Sequence, residues 1–326
     1  MNALVYLLVA AALAFAYSLG AHYTGACMGM PYAAGAIRLF PALLVMAPFV
    51  LVGAVFASGA VETTVGHGLL TGGTVGIPLA AVIVVSAFVL TSAYNVATIP
   101  TSTIQILVFS VAGAGVADGI GVRWSTVGSL VAVWAMAPFA ACGLGYGLTR
   151  LLDRSARGGA GPAGSARTQA TGYVALALVA IASAASFAMG ANDVANASGS
   201  LVMTGLFGLT TAGLLGGIGM ALGVLTWGRP LLQRVAFDVV RLDPRTAAAS
   251  QLAQSAVILV SVTFGYFTSM NQALIGAMIG SGLARPGGAI AWKTVRSVLG
   301  GWVVGPASGA ALGFGLTWAL RAVHVV

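Results

Sequence analysis

The sequence predicts an all-α polytopic membrane protein built from two inverted-topology repeats, with broken first helices and re-entrant helical hairpins. Of its 326 residues, 59% are hydrophobic and only 6% are charged, which is more apolar surface than a water-soluble core can bury. Each uncharged run is long enough for at least one membrane span of about 20 residues. These runs cover 39–61, 63–117, 124–149, 194–228, 246–284 and 297–320.

The first helix lies in an apolar stretch from Ala3 to Ile37, which is too long for one straight span. The first 20 residues carry no Lys or Arg, so they lack the basic region of a secretory signal, and we expect a helix of the mature protein. Glycines in the segment 20–29 permit a break near the middle of the membrane.

An internal repeat appears when the sequence is compared with itself at a shift of about 168 residues. Over 124–152, twelve of 29 positions recur as identical residues, including two tryptophans and a proline. Apolar composition alone rarely produces such a match. The predicted domains are a first transmembrane repeat over 1–150, a linker over 151–169 and a second, inverted transmembrane repeat over 170–326.

The positive charges predict the orientation in the membrane. The segment 150–167 is rich in Gly, Pro and Ser and carries four arginines, which is typical of a flexible polar linker. If this linker is cytoplasmic and each half crosses an odd number of times, 12 of the 14 basic residues lie inside, all except Arg123 and Arg321. We therefore predict a cell inner (plasma) membrane protein with both termini outside. The same distribution explains the net charge of +8 without a nucleic-acid partner.

Hairpins are predicted at 77–118 and 246–284, two stretches that are each roughly twice the length of one span. Each is interrupted near its middle, by 100–103 in the first and by 267–271 in the second. Two full crossings fit these lengths equally well. The re-entrant interpretation therefore depends on the chemistry of the two tips.

Both tips carry hydroxyl groups and a glutamine at matching positions of the repeat. Pro100 ends one helix, and the Thr and Ser residues after it are good N-caps for the next. A helix N-terminus with hydroxyls and free backbone N–H groups binds anions, although Ser and Thr in membrane helices also donate to their own helix carbonyls. The recurrence favours an anion site. Its predicted substrate-binding residues are Thr101, Ser102, Thr103, Gln105, Thr268, Ser269 and Gln272.

Asp193 is the only charged residue between 168 and 228. A carboxylate at the centre of a membrane segment costs about 2.5 to 3.5 kcal/mol on insertion scales, so it normally marks an ion or substrate path. The alternative is a carboxylate held in helix packing by neighbouring amides. We predict that Asp193 binds the driving cation, with Asn192 or Asn196 supplying neutral oxygens.

The corresponding segment of the first half has no carboxylate, because His22-Tyr23 stand where the second half has Asn192-Asp193. Tyr23, Thr24 and Asn196 complete the predicted substrate site. His22 is either a proton carrier or a hydrogen-bonded wall residue. The absence of a neighbouring carboxylate in the sequence favours the wall.

These residues carry a family resemblance. The segment Gly190–Ala197 is similar to the GANDVANA signature of the inorganic phosphate transporter (PiT) family, and both tips resemble that family's Ser/Thr-rich hairpin motifs. The resemblance implies a cation-coupled importer of a tetrahedral oxyanion, built of inverted repeats and commonly a homodimer. The His22-Tyr23 pair departs from the Asn-Asp of the signature and resembles the family's sulfate permease branch.

The protonation states of the two anions predict that the substrate is sulfate in preference to phosphate. Near pH 7 phosphate always carries an O–H, which a site recognises with a carboxylate acceptor, whereas sulfate carries none. With Tyr23 and His22 in place of a second carboxylate, the site is rich in donors and short of acceptors. Thiosulfate, which is also aprotic at neutral pH, fits the same description.

The sequence also favours some functional classes over others. A channel needs a continuous polar pore, and an enzyme needs a nucleophile-base pair or metal ligands in the core, and neither pattern is present. We predict no cofactor or metal beyond H+ or Na+ as coupling ion, and the lipid bilayer and sulfate as partners. A phosphate transporter and a non-transporting receptor or scaffold remain alternatives.

Overall fold

The computed structural model describes residues 3–99, 101–157, 172–238, 243–285 and 292–324, and these form thirteen helices. In chain order they are α1 (Ala3–His22), α2 (Thr24–Ala33), α3 (Leu39–Phe56), α4 (Gly59–His67), α5 (Ile77–Val96), α6 (Thr103–Asp118), α7 (Trp124–Arg157), α8 (Gly172–Met203), α9 (Leu209–Trp227), α10 (Arg229–Asp238), α11 (Pro244–Thr263), α12 (Met270–Leu283) and α13 (Trp292–Ala322).

Eight helical segments of the described chain are long and apolar enough to cross a membrane. They are α1 together with α2, then α3, α5, α7, α8, α9, α11 and α13. The prediction of an all-α, multi-pass membrane protein is therefore confirmed.

Helix α8 lies at the centre of the fold, packed against α3, α4, α9 and α11. It crosses α3 closely because each helix presents a glycine to the other. A Cβ at Gly53 would lie 2.1 Å from the carbonyl oxygen of Phe187, and a Cβ at Gly190 would lie 2.0 Å from that of Val50. Neither distance admits a side chain, so Gly190 of the signature has a packing role.

The predicted break in the first helix of each half is present only in the first half. There, α1 ends at His22 and α2 begins at Thr24, with Tyr23 in a turn between them. In the second half α8 runs without interruption from Gly172 to Met203, so the break predicted there is wrong. The side chain of Asn192 bonds to Asp193 and to the Thr268 carbonyl. These bonds use side-chain atoms of α8, so the site does not require a break in the backbone of this helix.

The hairpins consist of α5 packed against α6 and α11 packed against α12. Helices α6 and α12 have 16 and 14 residues, which rise about 24 and 21 Å and fall short of the ~30 Å hydrocarbon core. Both begin at buried tips, since Ser102 and Ser269 are fully buried N-caps. Helices α5 and α11 have 20 residues each, so it is the shortness of α6 and α12, together with the buried tips, that favours re-entrant hairpins over two full crossings.

The predicted linker is helical at its start, because α7 continues to Arg157. Residues 151–157 contain no Gly or Pro, so nothing in that stretch ends the helix. Within the extension, Asp153 accepts two hydrogen bonds from Arg285, at 2.9 and 2.6 Å. Arg285 also pairs with Asp243, the N-cap of α11. The rest of the predicted linker, 158–169, lies outside the described residues.

Candidate functional site

The candidate site lies where the two hairpin tips meet the middle of α8 and the break between α1 and α2. Its polar side chains are almost completely buried. They are His22, Tyr23, Asn95, Thr101, Ser102, Thr103, Gln105, Asn192, Asp193, Asn196, Thr268, Ser269, Asn271 and Gln272.

The second tip is held by Asn192 through two hydrogen bonds. The Asn192 Oδ1 accepts from the backbone N–H of Thr268 at 2.9 Å, and its Nδ2 donates to the Thr268 carbonyl at 2.8 Å. The indole N–H of Trp134 donates to the Phe267 carbonyl at 2.9 Å. The tip is thus joined to both α8 and α7.

The first tip is held by His22. Asn95 donates its Nδ2 to the Ser18 carbonyl at 2.8 Å, so its Oδ1, 2.5 Å from His22 Nδ1, accepts the ring N–H. His22 Nε2 lies 3.4 Å from two donors, the backbone N–H of Thr101 and Nδ2 of Asn271, and 3.2 Å from one acceptor, the Thr101 carbonyl. Two donors face Nε2, and the one acceptor there already has a donor in Asn271, so the arrangement suits a neutral ring and favours the wall role of His22 over the proton-carrier role.

The two tips contact each other directly. Asn271, in the first turn of α12, donates its Nδ2 to the carbonyl of Thr101 at 2.9 Å. The N-termini of α6 and α12 therefore converge on one place. Because the free backbone N–H groups of a helix N-terminus attract anions, the convergence suits a small oxyanion.

Asp193 faces this convergence without a basic partner among the described residues. Its carboxylate accepts from Nδ2 of Asn192 at 3.0 Å and from Nδ2 of Asn196 at 3.5 Å, and the Tyr23 hydroxyl is a third partner. Tyr23 in turn lies 2.8 Å from the hydroxyl oxygen of Thr103. Tyr23 thus stands between the carboxylate and the first tip.

Four buried oxygen atoms of the predicted site residues have no hydrogen-bond partner within the described chain. Buried polar atoms are normally satisfied, so these are expected to meet a ligand or water. They belong to Asn196 (Oδ1), Thr268 (Oγ1), Gln105 (Oε1) and Gln272 (Oε1). Of the two amides predicted to assist Asp193, Asn192 already uses its oxygen on Thr268, whereas the oxygen of Asn196 is free.

The capping serines keep a donor for a ligand. Ser102 Oγ accepts from the backbone N–H of Gln105, and Ser269 Oγ accepts from that of Gln272, both at 3.4 Å. Accepting uses a lone pair and leaves each hydroxyl hydrogen available.

The hydroxyl groups of two predicted substrate-binding threonines contact backbone carbonyls outside the tip contacts. Thr24 Oγ1 lies 2.7 Å from the Gly228 carbonyl and 3.0 Å from that of Ala21, so it ties α2 to the end of α9. Thr101 Oγ1 lies 3.4 Å from the Gly301 carbonyl in α13, and only its backbone takes part in the tip contacts. The hydroxyl that the structure brings to Tyr23 is that of Thr103.

Sequence reasoning missed four amides that support the site: Asn95, Asn271, Gln251 and Gln254. Gln251 Nε2 donates to the carbonyls of Ala26 and Cys27, each at 2.9 Å, and so satisfies the backbone after the α1–α2 break. Gln254 Nε2 donates to the carbonyl of Met270 at 3.3 Å. The available signal was an amide inside an otherwise apolar run, which is costly unless it is satisfied.

The sequence and the fold both match known proteins. Residues 19–313 match the phosphate transporter family. The chain belongs to this family. The family resemblance and the prediction of a transporter rather than an enzyme are thereby confirmed.

Two relatives within the phosphate transporter family illustrate its range. The chain is 29% identical over 294 residues to the sulfate permease CysP of Bacillus subtilis (strain 168), covering 90% of this chain and 81% of the relative. It is 30% identical over 347 aligned positions to a probable low-affinity inorganic phosphate transporter of Mycobacterium tuberculosis (strain ATCC 25618 / H37Rv), covering 97% and 82%. The chain is therefore similar to a sulfate permease and to a phosphate transporter at almost the same level.

A solved structure described as the sodium-dependent phosphate transporter has the same fold. The TM-score is 0.84 at 18% identity, and the alignment covers 99% of this chain and 100% of the other. At this identity the likeness establishes the fold alone. This protein is an anion transporter of the phosphate transporter family, embedded in a membrane by multiple spans.

Proposed function

We propose that this protein imports sulfate by alternating access, coupled to a gradient of H+ or Na+. The observation that carries the choice of anion is the Tyr23 hydroxyl, 2.8 Å from Thr103 Oγ1 at the start of α6. In the sequence Tyr23 stands where the signature has Asp, the residue type that would accept a hydrogen bond from a protonated anion. The proposal gains support from the similarity to a sulfate permease.

The excess of hydrogen-bond donors over free acceptors in the site supports a fully deprotonated anion. The ends of α6 and α12 supply hydroxyl and backbone donors, notably from Ser102 and Ser269. The one carboxylate, Asp193, is already surrounded by donors from Asn192, Asn196 and Tyr23. Hydrogen phosphate brings an O–H that needs an acceptor, and sulfate brings none, so this set of groups favours sulfate.

The same set supports a cation at Asp193. A carboxylate within an apolar span is stabilised by a bound cation, and Asn196 Oδ1 is a free neutral oxygen close to it. The carboxylate charge then serves the cation and is screened from the sulfate by Tyr23. The coupling ion is Na+ or H+, both of which are compatible with a carboxylate and neutral oxygens.

The experiment is uptake of labelled sulfate into liposomes that contain the purified protein, with imposed Na+ or H+ gradients. Excess unlabelled sulfate, and thiosulfate, should suppress uptake much more than equal phosphate does at every pH from 6 to 8. If phosphate suppressed uptake as well as sulfate does, the proposal of sulfate selectivity would be wrong and phosphate transport would be favoured.

Phosphate import is the second candidate, and one specific observation favours it. The phosphate transporter relative aligns with 97% of this chain. Under this reading Asp193 would accept the O–H of phosphate directly. No uptake of either anion under any gradient would indicate a receptor or scaffold.

A further inference from the structure

Glu62 is a buried carboxyl that the anion site does not use. It lies on α4, and its side chain is fully buried, although the opposite face of the same short helix exposes Thr63 and His67. Helix α4 packs against α8 and α9. A carboxyl turned inward on a helix with an exposed polar face needs a specific reason, because its burial is costly.

Two serine hydroxyls adjoin the carboxyl, and both of their hydrogens have other acceptors. Ser198 Oγ lies 2.5 Å from Glu62 Oε1 and 2.9 Å from the Val194 carbonyl. Ser58, a second neighbour of Glu62, donates to the Ala54 carbonyl at 2.6 Å. Because each serine hydrogen has a helix carbonyl as a second acceptor, a protonated Glu62 can donate to Ser198 Oγ across the short contact while both carbonyl bonds stay in place.

The remaining oxygen of Glu62 supports the neutral form. Oε2 is buried and has no hydrogen-bond partner within the described residues. A neutral carboxyl would leave only a carbonyl oxygen unpaired, whereas a charged one would leave half a negative charge unpaired in an apolar contact. On α9, a Cβ at Gly213 would lie 3.4 Å from Oε1 and 2.6 Å from the Ala54 carbonyl oxygen, so glycine allows this close packing.

No ionisable side chain of the helices packed on α4 faces Glu62. On α8, Asp193 points to Asn192, Asn196 and Tyr23, and Tyr173 is exposed near the opposite end of that helix. The described residues of α9 and α3 include none. On α11, Arg245 lies in the first turn, at the end remote from the α4 contact. On α4 itself, His67 is exposed.

Helix α4 also contacts the second hairpin tip. Thr64 donates its hydroxyl to the Gly265 carbonyl at 2.8 Å, three residues before Thr268. Gly265 has a φ of +73°, and a Cβ there would lie 3.3 Å from the Ala60 carbonyl oxygen, which makes the approach dependent on glycine. Helix α4 thus bridges the outer turns of α8 and the tip that Asn192 holds.

We propose that Glu62 is a proton-binding gate: protonated, it holds α4 against α8, and on losing its proton to water it releases α4. The proton comes from water when α4 closes and returns to water when α4 opens, so the gate itself moves no net charge across the membrane. Ser198 lies five residues beyond Asp193, about 7.5 Å along α8. An opening there would uncover the anion site from the end of α8 that reaches Met203.

The direction of the pH effect follows from linkage. Burial raises the pKa of Glu62 to about 7, against the hydroxyls of Ser198 and Ser58, which lower it. In the open state the carboxyl is in water with an ordinary value near 4.5. Closure is therefore favoured at low pH, weakens by about tenfold per pH unit between these two values, and changes no further above about 7.

The test is hydrogen–deuterium exchange of the α4 segment in lipid nanodiscs, which requires no transport and rests on no choice of anion. Wild type and Glu62→Gln are compared at the same pH, so that intrinsic exchange chemistry cancels. The glutamine keeps a donor for Ser198 and mimics the neutral acid. We expect the exchange rate of wild type relative to Glu62→Gln to rise at least tenfold from pH 5.5 to 7 and to level off by pH 8.

Controls make the result decisive. Asp118→Asn, which neutralises a half-buried carboxyl at the end of α6, should show the wild-type pH profile. Should Glu62→Gln fail to fold, the same profile is read in the wild type from α4 relative to α9. A flat ratio from pH 5.5 to 8, or a pH dependence retained in Glu62→Gln, would overturn the gate. In liposomes Glu62→Gln should retain anion competition, so failure of the gate and failure of sulfate transport give different results.

Discussion

His22 and Asn192, 170 positions apart in the sequence, each accept a hydrogen bond from the backbone N–H of a hairpin tip. His22 Nε2 accepts from Thr101 at 3.4 Å, and Asn192 Oδ1 accepts from Thr268 at 2.9 Å. Asn192 also donates to the Thr268 carbonyl, whereas the Thr101 carbonyl is bound by Asn271 of the other tip. In the second half of the chain Asn192 thus binds both the N–H and the carbonyl of its tip residue. In the first half a neutral histidine accepts from the N–H, and Asn271 of the second tip binds the carbonyl.

This relationship predicts that His22→Asn is tolerated better than His22→Ala. Asparagine can accept from Thr101 as Asn192 does from Thr268, whereas alanine leaves buried groups of Thr101 and Asn95 unpaired, at a cost of about 1–3 kcal/mol each. Thermal unfolding in detergent should rank the variants wild type, His22→Asn, His22→Ala, and sulfate uptake should follow the same order. Equal loss in both variants would point to proton transfer by the imidazole.

Asp193→Asn should abolish gradient-driven uptake while leaving folded, extractable protein. The substitution removes the charge that we propose binds the coupling cation, and it keeps the size of the side chain and its ability to form hydrogen bonds. Asp118→Asn at the end of α6 is the matched control and should retain uptake. If Asp193→Asn retained full coupled transport, the carboxylate would have only a structural role in helix packing.

Replacement of Tyr23 should change anion preference. Tyr23→Asp restores a carboxylate acceptor beside the first tip, so sulfate uptake should fall and competition by phosphate should strengthen by about tenfold or more. Tyr23→Phe removes only the hydroxyl and should weaken sulfate uptake without strengthening phosphate. The measurement is the ratio of phosphate to sulfate inhibition constants. An unchanged ratio in Tyr23→Asp would show that Tyr23 does not select the anion.

The topology prediction is tested by cysteine labelling. The 12-to-2 distribution of basic residues predicts a cytoplasmic linker and both termini on the opposite face. In a background without Cys27 and Cys142, single cysteines at Gly159 and after Val326 should react with an impermeant reagent from opposite sides. Reaction of both from one side would contradict the inverted-repeat arrangement.

Part of the site was predictable from sequence because the relevant signals are local. A carboxylate without a charged neighbour in an apolar run is costly wherever the helix packs, so Asp193 could be identified without a structure. Ser102 and Ser269 could be identified as caps because capping depends only on the next few residues. The membrane class followed from composition in the same way.

The remaining features depend on contacts between distant segments. Asn95 determines the hydrogen-bonding role of His22 across 73 residues, and Thr268 occupies the oxygen of Asn192 across 76, whereas the oxygen of Asn196 has no partner among the described residues. The continuity of α8 was missed because flexibility at Gly190 is permitted by sequence, but the close crossing of α3 gives that glycine a packing role instead. Glu62 carried the same signal, as the only charged residue between 39 and 117, but it was not singled out because the two threonines after it are typical of an exposed turn. By itself, the sequence determined which groups are costly in a membrane. The tertiary structure decided which partners satisfy them, because helix packing brings together donors and acceptors that local patterns cannot pair.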